Sequence, residues 1–283
     1  DMELLLKRRR GRIAALGTAA ILGEPSCTAA LCDLEKIDGR KLSSEGFQAH
    51  RQGRPVVLQG LLESWPAWQL WGQSGFMERY GHFEVSRDDV NKKVLGMDKS
   101  GRQPVPLKSA LSGNSSHTGI WLVQPPHPLT RAARRDFSVP EPLHGVRQTG
   151  PFISVGLQGQ GGNFNYHPEN WLAQVRGRKL WMLLPPKTAL PSYSFHSHPC
   201  DFPKHASRLA STGRDGKLVQ CIVEEGETIY VGDYWNHATC NVEGNGSLNL
   251  ALGFIGKLDH IPPAHQAAAD GNVSILARGP RGQ

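Results

Sequence analysis

Cysteine is scarce in this sequence, with five residues (Cys27, Cys32, Cys200, Cys221 and Cys240) and no Cys-x-x-Cys pair. That spacing offers no paired framework and no cysteine-rich zinc module, and it favours a reducing compartment. Long hydrophobic runs are missing too. The apolar stretch from Ile13 to Leu22, which follows the basic Lys7–Arg12, is too short to span a bilayer as a helix. Its charged-then-apolar order resembles a secretory signal, but the preferred reading is a basic, Ala/Leu-rich helix packed on the domain, with a nuclear-import patch as the weaker alternative. Internal repeats and long low-complexity linkers are absent as well.

What is present is a turn-rich globular chain. Its 283 residues include 32 Gly and 20 Pro, with 39% hydrophobic residues and a net charge of +7. That length allows one large domain or two small ones. The basic balance suits acidic partners, nucleic acid among them, though more often it only keeps a protein soluble. "SSEGFQAHRQG" opens with serine and glutamate and closes on Gly53, which predicts a helix over residues 44–52. "RPVVLQGLL" predicts a strand, and Pro66 starts a short helix. From Glu84 onward short apolar runs follow one another, each bounded by Gly, Pro, Asn or Asp. The expected fold is mainly β, a sandwich or jelly roll with flanking N-terminal helices. The expected division is a helical basic segment over 1–42, a β domain over 43–257 and an extension over 258–283.

The chemistry gathers at "NYHPENW". Side chains two apart on a strand share a face, so His167 and Glu169 would converge if the strand runs through Pro168. His237 follows the Gly-Asp turn of "GDYWNHAT". Two imidazoles and one carboxylate form the facial triad of non-haem Fe(II) oxygenases, although His-x-Glu alone is weak among 12 histidines. Lys179 shares a face with Trp181 and Leu183, and an inward ammonium calls for an anion unless it reaches solvent at the strand mouth. In "SLNLALG", Leu248, Leu250 and Leu252 take one face. The small and polar Ser247, Asn249, Ala251 and Gly253 take the other, as a wall lining a ligand site would.

From about Arg54 to Gly256 the chain resembles the JmjC family of cupin-like Fe(II)/2-oxoglutarate dioxygenases. The likeness rests on "RPVVLQGLLESWPAW", "VPEPLHG", the His-x-Glu stretch with "GRKLWMLLPP", and "GDYWNHATCNV". It implies a double-stranded β-helix, Fe(II) on His167, Glu169 and His237, and 2-oxoglutarate on Lys179. Where many members carry Thr or Ser three residues before the first histidine, this chain has Phe164, and it has Ala251 and Gly253 where Asn or Thr is common. Asn165, Asn249 or Trp121 are the substitutes expected to complete the cradle. The implied activity is hydroxylation of a protein or peptide side chain. Demethylation, hydroxylation of a nucleic-acid base and a binding module without turnover are the alternatives.

His196, His198, Cys200 and His205 crowd "SFHSHPCDFPKH", but match no standard zinc spacing, so substrate contacts or plain loop residues are preferred. The expected location is cytoplasmic or nuclear. Three Asn-x-Ser triplets, at Asn114, Asn245 and Asn272, keep a secretory route open.

Overall fold

Short runs rich in β-branched and aromatic residues become the strands of a computed structural model that describes residues 31–85, 104–112, 120–146, 149–188, 200–201, 218–242 and 248–256. Thirteen named strands make three sheets among the described residues. The core is built from β6 (Thr149–Leu157), β7 (Gly161–Asn165), β8 (Asn170–Arg176), β9 (Arg178–Leu184), β10 (Val219–Val223), β11 (Thr228–Val231), β12 (Asn236–Val242) and β13 (Leu248–Ile255). In the larger sheet β11, β8, β13 and β6 are consecutive neighbours, and the smaller one runs β10-β9-β12-β7. All these pairs are antiparallel. This is the jelly roll that the spacing of short strands predicts, in the double-stranded β-helix arrangement that the resemblance implies.

Two further strands extend the larger sheet on one side, β2 (Val56–Gln59) against β11 and then β1 (Lys36–Asp38), parallel to β2. The compact unit opens at Cys32, so it begins before the boundary expected at residue 43. Residues 32–42 are extended and 3-10 turn, not α-helical. The basic, Ala/Leu-rich helix expected around Lys7–Leu22 and the extension over 258–283 lie outside the described residues.

The helix α1 (Ser44–Arg51) forms where the Ser-Glu pair predicts it. The Ser43 hydroxyl accepts the Gly46 amide, a cap that contributes about 1 kcal/mol, and the left-handed Gln52 and Gly53 end the helix. Next comes α2 (Pro66–Leu70), with proline in its first turn.

Burial separates three layers. Phe152, Leu172, Trp181, Leu183, Ile229 and Ala251 fill the space between the sheets. Phe47, Trp171, Ala173, Val175, Tyr230 and the three leucines of β13 pack under the helices on the outer face of the larger sheet. Phe164, Leu180, Met182 and Cys240 cover the outside of the smaller sheet. Alternation along β8 and β9 is therefore strict. Even positions of β8 face inward, and odd positions of β9 do.

The cysteines correct one expectation. Cys32 is bonded to Cys221 and Cys200 to Cys240, at sequence separations of 189 and 40 residues. Partners so far apart leave no local spacing to read. Only the sheet brings Cys32 beside β10, in an isolated bridge with Cys221.

Candidate functional site

A cavity of about 90 Å³ lies between the sheets. Its walls come from inward positions of the barrel strands: Ser154 on β6, Asn165 on β7, Asn170 on β8, Lys179 and Trp181 on β9, His237 and Thr239 on β12, with His167 just beyond β7. The register sets their order. His237 lies opposite Leu183, Thr239 opposite Trp181 and Asn241 opposite Lys179. At about 3.3 Å per residue, Lys179 and the histidine end are separated by a slot rather than gathered at a point.

Lys179 is fully buried. Its ammonium donates to the Asn241 side-chain carbonyl, and the Asn241 amide is committed to the Leu157 carbonyl at 3.1 Å. Among the described residues no carboxylate lines the cavity. Burial without a counter-charge pulls Lys179 down to about 7. Three lining atoms lack a hydrogen-bond partner among the described residues, namely Ser154 Oγ, Asn165 Oδ1 and Trp181 Nε1. Buried polar groups are normally paired, so this set is built to meet something polar.

The two imidazoles are brought together, with ring centres 4.7 Å apart. His167 Nδ1 is 2.8 Å from the Pro168 carbonyl and His237 Nδ1 is 2.9 Å from the Trp235 carbonyl. A carbonyl only accepts, so each Nδ1 carries the proton and each Nε2 offers a lone pair. Burial pulls both histidines below their ordinary range, His237 to about 3 with help from His167, so both rings stay neutral.

Glu169 does not join them. Strand β7 ends at Asn165, residues 166–169 are not strand, and β8 restarts at Asn170 with even positions inward. The two-residue rule therefore fails across Pro168, and Asn170 takes the inward place. The Glu169 carboxylate instead accepts from the Arg51 guanidinium and from the Tyr230 hydroxyl, the latter at 2.8 Å, on the helix side of the sheet. Burial first, and then the Glu169 charge, push the Tyr230 phenol up and keep it a donor. Arg51 and Tyr230 escape sequence reading because nothing local links the end of a helix to a strand 179 residues away.

Of the expected 2-oxoglutarate contacts, Lys179 and Asn165 line the cavity. Asn249 does not. It donates to the Arg178 carbonyl at 2.7 Å and accepts from Gln174 at 2.9 Å, tying strands together. Trp121 falls on β5 (Trp121–Val123), opposite Val155, and its neighbours Ile120 and Leu122 reach the cavity wall. Cys200 is held by Cys240, in line with the preference against a zinc site in that stretch, and His196, His198 and His205 lie outside the described residues.

The loop before His237 is anchored from outside the barrel. The Trp235 indole donates to the Gly53 carbonyl at 3.1 Å, and a Cβ at Gly232 would overlap that same carbonyl. The turn after α1 thus holds the Gly232–Trp235 loop that delivers His237.

The fit to iron is partial. Two neutral imidazoles with pinned Nδ1 protons suit a metal, but the carboxylate ligand stands on the other face of the sheet. Among the described residues no three His, Cys, Asp or Glu side chains are grouped to hold an ion. The three-ligand centre therefore does not fit as assembled.

No protein-family model matches the chain. It is similar to the arginine-specific demethylase JMJ22 of Arabidopsis thaliana, 25% identical over 229 residues, covering 72% of this chain and 43% of that protein. It is similar to JmjC domain-containing protein 8 of Mus musculus, 28% identical over 245 residues, covering 83% of this chain and 86% of that protein. A third relative, the arginine-specific demethylase JMJ20 of Arabidopsis thaliana, is 31% identical over 268 residues and matches 76% of this chain and 56% of its own length. The chain thus spans about half the length of the plant relatives and most of the mouse one.

Proposed function

The chain belongs to the JmjC-domain family, and from that premise we propose that its barrel binds a short linear acid of the 2-oxoglutarate class on Lys179 without needing a three-ligand metal centre. One observation carries the reading: a fully buried ammonium faces a cavity with no carboxylate among its described lining residues. An acid of that class supplies the missing counter-charge at the Lys179 end. Its other end meets Ser154 Oγ and Trp181 Nε1, which have no partner among the described residues. Charge-assisted hydrogen bonds of this kind contribute about 1.5–3 kcal/mol. Burial between the sheets lowers the local dielectric and strengthens them. A protein or peptide is the partner the barrel serves, and no described helix is long and apolar enough to cross a membrane.

A second reading, Fe(II)- and 2-oxoglutarate-dependent hydroxylation of a protein side chain, is favoured by the His167–His237 pair. It needs a third donor in place of Glu169, whose carboxylate is taken by Arg51 and Tyr230.

The test is calorimetric titration with 2-oxoglutarate and with succinate in the presence of a chelator. Binding is expected without metal, weakened ten- to a hundredfold in Lys179→Met, about 1.5–3 kcal/mol. Binding that appears only after Fe(II) is added, or succinate formed on turnover, overturns the first reading in favour of the second.

We also propose an oxidising compartment in place of the cytoplasmic or nuclear location expected from the sequence. Its support is the pair of disulfides, Cys32–Cys221 and Cys200–Cys240. Intact mass of the cellular protein after alkylation, with and without prior reduction, tests it. Four freely alkylated thiols at these positions before reduction would reject it.

A further inference from the structure

Lys179 is a primary amine as well as a cation, and its surroundings favour the amine. Asn241 accepts one of its hydrogen bonds and is itself pinned to Leu157. Among the described residues no acidic side chain lines the cavity to hold the charged form. With burial drawing it to about 7, a large fraction is uncharged near neutrality. A surface lysine near 10.4 has only about one amine in two thousand in that form. Desolvated lysines of this kind attack carbonyl carbon.

The remaining walls fit the other half of such a reactant. The unpartnered Ser154 hydroxyl and Trp181 indole are donors for a carboxylate, and the Phe152 and Leu172 side chains supply apolar wall. We propose that Lys179 captures short 2-oxo acids covalently, as a Schiff base. The proposal rests on the slot being the small-acid site described above.

The chemistry balances without a co-reactant. The Lys179 lone pair forms a C–N bond to the 2-oxo carbon, and the carbonyl oxygen becomes the hydroxyl of a carbinolamine. Loss of that hydroxyl with the remaining amine hydrogen releases one water and leaves C=N. Both amine hydrogens depart with the original carbonyl oxygen. Nothing is oxidised or reduced, so the capture reverses when water returns.

The experiment incubates the full chain with pyruvate, 2-oxoglutarate or succinate, adds borohydride, and maps the peptides by mass. Pyruvate and 2-oxoglutarate are expected to add the mass of the acid less one oxygen atom at Lys179, about tenfold above any other lysine. Succinate, with no carbonyl, should add nothing. Lys179→Arg should abolish the adduct. No adduct on a wild-type protein whose melting temperature still rises with 2-oxoglutarate overturns the Schiff base and leaves the binding site standing. No adduct and no thermal shift overturns both. Labelling spread evenly over surface lysines also rejects it.

Discussion

The two faces of the larger sheet treat buried charge in opposite ways. On the helix side, Glu169 is met by a guanidinium and a phenol, and Asp136 accepts from the Trp71 indole at 2.8 Å and from the Tyr80 hydroxyl. On the cavity side, Lys179, which reaches in from the smaller sheet, has a neutral amide for company. A buried charge with its counter-charge in place is a structural element. One without it is where the proposed acid would supply the counter-charge. On the proposed reading the same sheet separates what holds the fold from what would meet a ligand, and Glu169, held by Arg51 and Tyr230, lies on the structural side of that division.

The largest test of this comparison removes Glu169. Breaking a buried pair leaves Arg51 uncompensated, so Glu169→Ala should cost about 3–5 kcal/mol in denaturant unfolding, while acid binding to the refolded variant stays within about twofold of wild type. If stability barely moved and ligand or metal retention collapsed, the two faces would have to be exchanged.

Next in size is the Cys200–Cys240 bridge. Cys240 lies on β12 between Thr239 and Asn241, both inward, but itself packs outward. Replacing Cys200 and Cys240 together by serine should cost about 2–4 kcal/mol by the same denaturant measurement. An unchanged midpoint under oxidising conditions would show the bridge to be dispensable.

Lys179 gives the sharper contrast because its sign is opposite. The folded protein holds it near 7 and the unfolded chain near its ordinary 10.4, so between those values the unfolded state binds more protons. Stability should therefore rise with pH from about 7 to about 10, and lie flat below 7 where both states are charged. In Lys179→Met that rise should vanish, and the variant should be the more stable near pH 7, by on the order of 1–2 kcal/mol. Thermal melts of both proteins across this range decide it. A pH profile shared by variant and wild type would mean that Lys179 is already neutralised by a partner.

The smallest effect concerns Asn249. Its bonds to Arg178 and Gln174 assign it to the fold, so Asn249→Ala should cost about 1–2 kcal/mol and leave the affinity for 2-oxoglutarate unchanged. Loss of affinity in a stable variant would return it to the ligand site.

Much of this was legible where a rule is local. Alternation along an unbroken strand correctly placed Lys179, Trp181 and Leu183 inward, and Leu248, Leu250 and Leu252 on the opposite, apolar side. It failed at Glu169 because the rule was carried across Pro168, where no strand exists. The β12 and β7 registers show why His167 still arrives. His237 pairs with Asn165, so the chain two residues further on reaches the same rim. The disulfides and the Arg51–Glu169 pair were illegible for a different reason. Their partners lie 189, 40 and 118 residues apart, and only the closed sheets bring them together.

The anchoring of the loop before His237 by the turn after α1 bears on what counts as a portable unit. A fragment cut to begin at Arg54 would contain all eight strands of the double-stranded helix. It would nevertheless strand Glu169 without its guanidinium, leave the Trp235 indole without the Gly53 carbonyl, and deprive Glu227 of the Lys36 ammonium now 2.7 Å away. The barrel is therefore no self-sufficient cassette to be trimmed or grafted by strand count. Its first wall is laid down by residues that precede it in the chain.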